Sequence, residues 1–271
     1  MRKSVFISLL FLPLVGQAAT TPMLSEEPSW QRYYEEAGVK GVFLLCDADA
    51  SHCYTNDKAR AETPFIPAST YKIPNLLIAL ETGVIKDPDQ IFRWNGEPRR
   101  LKQWENDFTL RGAVQNSVVP IFQQFARDIG ERRMSSYLHK FHYGNEAVEG
   151  GIDHFWLDGA LRISATQQVQ FLQRLNLGQL PASKINQLRV KDILISDATP
   201  DYVIHGKTGY SLGAPGYGDR NAPGVAWWVG WIEKGTATWY FAGNIDVARD
   251  TDVAARKSIP LKILQGRGIL P

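Results

Sequence analysis

The sequence predicts an α/β domain in which a sheet built from both ends of the chain carries a mostly helical insertion. Three observations predict it. Strand-like stretches occur early, at 39–46 and 53–56, and again late, at 202–205, 224–232 and 237–245. Between them, from about 75 to 186, apolar residues recur at helical spacing. At the junction sits Ser69-Thr70-Tyr71-Lys72, a serine and a lysine one helical turn apart at the start of the first long helix. The cleft between sheet and helices is where a site is expected.

The elements follow in order. Ser29 is a candidate cap for a short helix, Trp30 to Ala37, closed by Gly38. Val39 to Cys46 is β-rich, and Cys53 to Asn56 is its expected partner across a turn-like Asp47-Ala48-Asp49-Ala50-Ser51-His52. Pro64 and Pro67 mark an extended approach to Ser69. Ile73, Leu76, Leu77 and Leu80 form a helical face, Pro74 falls in the tolerant first turn, and Gly83 ends the helix. Asp87 to Thr109 reads as loops. Ser117-Val118-Val119-Pro120 opens a helix with Ile121, Phe122, Phe125, Ala126 and Ile129 inside, ended by Gly130. Arg132 to His142 is another, carrying Met134, Leu138 and Phe141. Asn145 to Arg162 is irregular. Ser164 and Gln167 form a capping box for a helix with Val169, Leu172 and Leu175. Glu233-Lys234-Gly235-Thr236 joins the two late strands as a hairpin, and Thr251 is a candidate cap for a last helix interrupted at Pro260.

Composition narrows the setting. With 271 residues, 44% of them hydrophobic, the chain can build a real core. Arg2 and Lys3, the apolar run Val5 to Val15 and the small residues of Gly16-Gln17-Ala18-Ala19 read as a secretory signal; a retained anchor is the competing reading, against which the run is too short to span a bilayer. The expectation is a signal peptide at 1–19 and a single domain at 20–271, exported to the periplasm with no membrane attachment after cleavage. The chain carries 30 basic and 28 acidic residues, with no basic cluster, so no nucleic-acid partner is expected. In an exported protein the two cysteines, Cys46 and Cys53, read as a disulfide; two free thiols are the alternative. His139, His142 and His154 lack an evident further ligand, so no metal site is expected.

A lone Ser-x-x-Lys is weak. Here it is followed in order by Ser117-Val118-Val119, Tyr143-Gly144-Asn145, Phe155-Trp156-Leu157 and His205-Gly206-Lys207-Thr208-Gly209-Tyr210, with Trp227-Trp228-Val229-Gly230-Trp231 and Arg256-Lys257-Ser258-Ile259-Pro260 later. In these motifs, across essentially the whole chain after the leader, it resembles the class D β-lactamases of the penicillin-recognising superfamily. Tyr71 departs from the commoner phenylalanine; its ring fills similar space but its hydroxyl needs a partner.

The resemblance implies the penicillin-binding-protein/β-lactamase fold: a central antiparallel sheet flanked by helices, from about 20–68 and 190–271, and a helical part from about 69–189. It implies hydrolysis of the β-lactam amide of oxacillin-type penicillins and some cephalosporins through a Ser69 acyl-enzyme. Lys72 would carry carbon dioxide as N6-carboxylysine, the general base, and no other cofactor is implied. Desolvation fits this, because a buried lysine favours the neutral amine that can add carbon dioxide. Trp156 would donate to that carbamate, with Val119, Leu157, Ile73 and Tyr71 as apolar walls. Ser117 would pass a proton to the leaving nitrogen, and Lys207 would add positive charge beside it. Thr208 and Arg256 would hold the substrate carboxylate. Backbone N–H groups of Ser69 and Tyr210 would form the oxyanion hole, beside Gly209. The Glu-x-x-Leu-Asn segment that serves deacylation in class A enzymes is not found, which points the same base at both steps. The partner is a small β-lactam, and the protein a monomer or homodimer. A D,D-peptidase, or a sensor that stays acylated, is the rival reading.

Overall fold

The computed structural model describes residues 22–212 and 224–271. The proposed leader and most of the segment after Tyr210 therefore lie outside the described residues. The chain enters through β1 (Met23–Glu26), a 3-10 turn and α1 (Gln31–Ala37). Strands β2 (Gly41–Cys46) and β3 (His52–Thr55) follow, then α2 (Lys58–Glu62) and α3 (Lys72–Glu81). Helices α4 (Leu110–Gln115), α5 (Val119–Ile129), α6 (Glu131–Phe141), α7 (Ala165–Asn176) and α8 (Lys184–Ile193) make the helical part. The chain returns as β4 (Ile195–Ala198), β5 (Val203–Ser211), β6 (Gly224–Lys234) and β7 (Ala237–Val247), and closes with α9 (Ala255–Gly266).

The strands form one seven-stranded sheet in the order β1-β3-β2-β7-β6-β5-β4. It is antiparallel except where β1 lies parallel to β3. First and last thirds of the chain meet at the β2–β7 pair, Gly41 opposite Ile245 through Cys46 opposite Tyr240. The two faces of the sheet bury two separate cores. Val42, Leu44, Trp227, Val229, Trp231 and Ala242 face the helical part. Phe43, Leu45, Ala226, Trp228, Ile232 and Phe241 face α1 and α9. This is period-two alternation with both faces covered. Strand β6 is buried at every position from Gly224 to Ile232, which is why it reads as a continuous apolar run. Each large side chain so buried stabilises the fold by roughly 1.5–3 kcal/mol.

Several sequence signals hold in detail. Gly38 ends α1 in the left-handed conformation, φ 65°. Ser164 accepts from the Gln167 N–H at 3.2 Å while Gln167 accepts from the Ser164 N–H at 3.0 Å, a complete capping box. Cys46 and Cys53 stand opposite each other on β2 and β3 and form the disulfide.

Other signals fail for local reasons. Ser29 lies inside the 3-10 turn Pro28–Trp30 and makes no side-chain cap. Thr251 is likewise internal to a 3-10 segment, where Asp252 accepts instead from the N–H groups of Ala248 and Arg249. Ser117 does not cap α5: Val118 occupies that position and Ser117 is held at φ 51°. Strand β1 and helices α2, α4 and α8 carried too few periodic residues to be recognised, although Asp57, Thr109 and Ser183 do cap those helices.

The disulfide closes a loop with a sequence separation of seven. Constraining so short a loop in the unfolded chain is worth roughly 2 kcal/mol. Urea unfolding with and without reductant measures it: the midpoint is expected to fall on reduction, and Cys46→Ser to show the same fall with no further response to reductant.

Candidate active site

The site begins with one strained turn. Ser69 lies in a 3-10 turn, Ala68–Tyr71, that runs directly into α3. Ala68, just before it, sits at φ 49°, a conformation that L side chains other than Asn and Asp seldom adopt and that costs on the order of 1–3 kcal/mol. Strand β5 presses on this turn from the sheet. A Cβ at Gly209 would come 2.8 Å from the Pro67 carbonyl oxygen and 3.1 Å from Thr70 Cγ2, so only glycine fits. The Trp227 indole donates to the Ile66 carbonyl at 2.9 Å, tying β6 to the same approach. The turn of Ser69 is thereby fixed to strands β5 and β6.

Lys72 Nζ donates to Ser69 Oγ at 2.9 Å. The lysine is 1% exposed, on the floor of the helical core, with the Phe122 ring 5.2 Å from Nζ. Burial pushes its pKa well below the usual lysine value, and the charge of Lys207 pushes it the same way. Both effects favour the free amine over the ammonium. Phe122 was expected only as a core residue of α5; that it floors the lysine is a tertiary fact with no local signal.

The same helical core holds a donor without an acceptor. Trp156 is fully buried and its Nε1 has no hydrogen-bond partner among the described residues. An unpaired buried N–H costs roughly 1–3 kcal/mol. The ring is not there merely to fill space at random: Tyr71, the residue before Lys72, stacks on it with centroids 5.2 Å apart and planes at 25°, and Phe155 meets both rings edge-on. The extra hydroxyl of Tyr71 finds its partner in Met134 Sδ at 2.8 Å.

The second half of the site is Ser117 and Lys207. Lys207 Nζ donates to Ser117 Oγ at 2.5 Å and to the Thr208 carbonyl at 2.8 Å. Burial, then repulsion from Arg256, lowers its pKa to about 7, so its charge is in balance near neutrality. The positive φ of Ser117 aims its hydroxyl at β5 instead of at the N–H groups of α5. Arg256, at the start of α9, donates to the Gly209 carbonyl at 3.2 Å, which brings the guanidinium to the strand. The Tyr210 hydroxyl donates to Asp250 at 3.2 Å, and its ring packs on the α1 and α9 side of the sheet. Leu157 and Val119 are half-buried against the helical core, and the Leu157 carbonyl accepts from Ser211 at 3.1 Å.

The structure thus brings Ser69 to Lys72, Ser117 to Lys207, and Arg256 to Gly209 beside Thr208. His139, in contrast, lies 2.8 Å from Glu146 on an exposed surface. Among the described residues no group of three or more His, Cys, Asp or Glu is placed to hold a metal.

A serine hydroxyl held by a buried amine, on a helix packed against an antiparallel sheet, is the arrangement of the penicillin-recognising serine enzymes. Residues 33–265 match the family described as the penicillin binding protein transpeptidase domain. The chain is 52% identical to β-lactamase OXA-5 of Pseudomonas aeruginosa over 261 residues, 96% of each chain. It is 51% identical to β-lactamase OXA-10 of the same organism over 98% of each chain, and 42% identical to β-lactamase OXA-48 of Klebsiella pneumoniae over 98% of each. The chain belongs to the class D, or OXA, β-lactamases.

Because the Tyr71 hydroxyl bonds only a thioether, its removal has a small expected cost. Tyr71→Phe should change stability by less than about 1 kcal/mol, as followed by chemical denaturation, and leave turnover within about twofold. A larger loss of turnover would give that hydroxyl a role beyond packing.

Proposed function

We propose that this protein hydrolyses the β-lactam amide of penicillins, oxacillin among them, and of some cephalosporins, through an acyl-enzyme on Ser69 with carboxylated Lys72 as general base. The observation that carries this reading is a lysine whose burial favours the free amine, together with a buried indole donor that has no acceptor among the described residues and stacks on the residue preceding that lysine. The amine nitrogen bonds the carbon of carbon dioxide and gives one proton to solvent; the resulting carbamate anion supplies a base that works at neutral pH. An anion in an apolar pocket needs a donor, and Trp156 Nε1 is the buried donor with nothing else to bond.

The remaining roles follow from the contacts. Ser69, relieved of its proton, attacks the lactam carbonyl carbon. The developing oxyanion meets the backbone N–H groups of Ser69 and Tyr210, placed at a helix start and on the adjoining strand. As the carbon–nitrogen bond breaks, Ser117 gives its proton to the nitrogen, and Lys207, 2.5 Å away, replaces it. Thr208 and Arg256 hold the substrate carboxylate at the edge of β5, with Val119 and Leu157 against the substrate body. The base at Lys72 then serves water in the second step. Full-length similarity to β-lactamases favours this over a D,D-peptidase or a sensor that stays acylated. We further propose that residues 1–19 are a cleaved export signal and that residues 20–271 act as one catalytic unit in the periplasm, as monomer or homodimer. No helix of the described residues is long and apolar enough to cross a membrane.

Sustained hydrolysis of nitrocefin and oxacillin tests the activity; one equivalent of label with no turnover would overturn it. The base has its own test. Activity should fall in carbon-dioxide-depleted buffer and return with bicarbonate. It should also fall on acidification, because below its lowered pKa Lys72 takes a proton and releases carbon dioxide, and bicarbonate should restore part of it. Trp156→Ala should slow deacylation more than acylation, resolved by stopped flow; equal slowing of both would remove its assigned role.

A further inference from the structure

The Tyr143-Gly144-Asn145 motif and helix α7 take no part in the chemistry above, yet both reach the nucleophile's turn from below. Gln168, on the first turn of α7, is fully buried. Its amide Nε2 donates to Thr70 Oγ1 at 2.9 Å. Thr70 Oγ1 in turn donates to the Pro67 carbonyl at 2.8 Å, and the Thr70 N–H points at that same carbonyl at 3.2 Å. These bonds close the turn that contains strained Ala68 and Ser69. Gln168 fixes the polarity of the chain: because its N–H₂ occupies one lone pair of Thr70 Oγ1, the threonine hydrogen is directed to Pro67.

Tyr143 completes the post. It is fully buried beside Thr70 and Gln168, and burial keeps its phenol protonated. Thr70 and Gln168 both act on that hydroxyl as hydrogen-bonding neighbours, so the three polar side chains form one buried group under the turn. A leucine or methionine would fill the same space on α7 but could not hold Thr70.

We propose that Gln168 is a positioning residue for the nucleophile, acting through Thr70 to hold the strained turn that sets Ser69 against Lys72. The proposal rests on Ser69 being the nucleophile. It gives α7 a role in the reaction rate, although Gln168 touches neither substrate nor the reacting atoms. A misplaced nucleophile loses rate and not binding, because Thr208 and Arg256 are untouched.

Stopped-flow acylation with a penicillin separates the binding constant from the acylation rate. Gln168→Met, which keeps volume and loses the amide, should slow acylation by about 10- to 100-fold while the dissociation constant of the first complex stays within about twofold. Thr70→Val should do the same, Thr70→Ser should retain the wild-type rate, and the double variant Gln168→Met/Thr70→Val should be no slower than the worse single variant. Wild-type acylation by Gln168→Met, multiplying losses in the double variant, or a loss confined to the dissociation constant would overturn the proposal. If Gln168→Met does not fold, as seen by circular dichroism, the contrast between Thr70→Val and Thr70→Ser carries the test, and equal rates for those two would overturn it. Ser69→Ala is the separate control: hydrolysis surviving in that variant would sink the assigned nucleophile and would say nothing about Gln168.

Discussion

An ammonium group cannot be buried cheaply, and Lys72 is buried. Removing such a charge from water costs several kcal/mol unless it is paired or neutralised. Burial and the neighbouring Lys207 both press the amine to give up its proton. The surroundings depend on that outcome. Phe122 can lie 5.2 Å from Nζ, and the aromatic cluster of Tyr71, Phe155 and Trp156 can close beside it, because no ion has to be solvated there. The same neutral amine can take up carbon dioxide, so the packing that forbids one charge prepares the place for another.

The fold supplies the rigidity this needs. Two cores clamp the sheet from both faces, and β5 runs between them as the wall of the cleft. Gly209 lets that wall reach the turn of Ser69, and the Trp227 indole bonds the segment leading into it. Against such a frame two of the five non-glycine residues at positive φ among the described residues, Ala68 and Ser117, are held in place. Both stand at serine-bearing turns of the cleft. The strain is offset by the packing around it, and it aims the two hydroxyls at the two lysines.

Much of this was legible in the sequence, and the limits have physical causes. The long helices α3, α5, α6 and α7 announce themselves through apolar spacing and caps, and β6 and β7 through a hairpin between aromatic runs. Three of the motifs point to Ser69 with Lys72, to Ser117 and to Lys207, because each is a short local pattern. Strand β1 and helices α2, α4 and α8 were missed, being short or only weakly patterned and fixed by what they pack against. Ser117 is legible as part of a motif, but its bond to Lys207, ninety positions away, exists only in the fold. Phe122 beneath Lys72 and Gln168 beneath Thr70 are likewise contacts between distant parts of the chain, and no window of sequence contains both partners.

The chemistry of the site depends on the state of one side chain, Lys72. Carbon-13 NMR of the protein equilibrated with labelled bicarbonate reads that state directly. The account predicts one slowly exchanging carbamate carbon per molecule, absent from Lys72→Ala and weakened or lost in Trp156→Phe, which keeps an aromatic ring but removes the N–H. A spectrum with no carbamate signal at neutral pH, or a signal unchanged in Lys72→Ala, would contradict it.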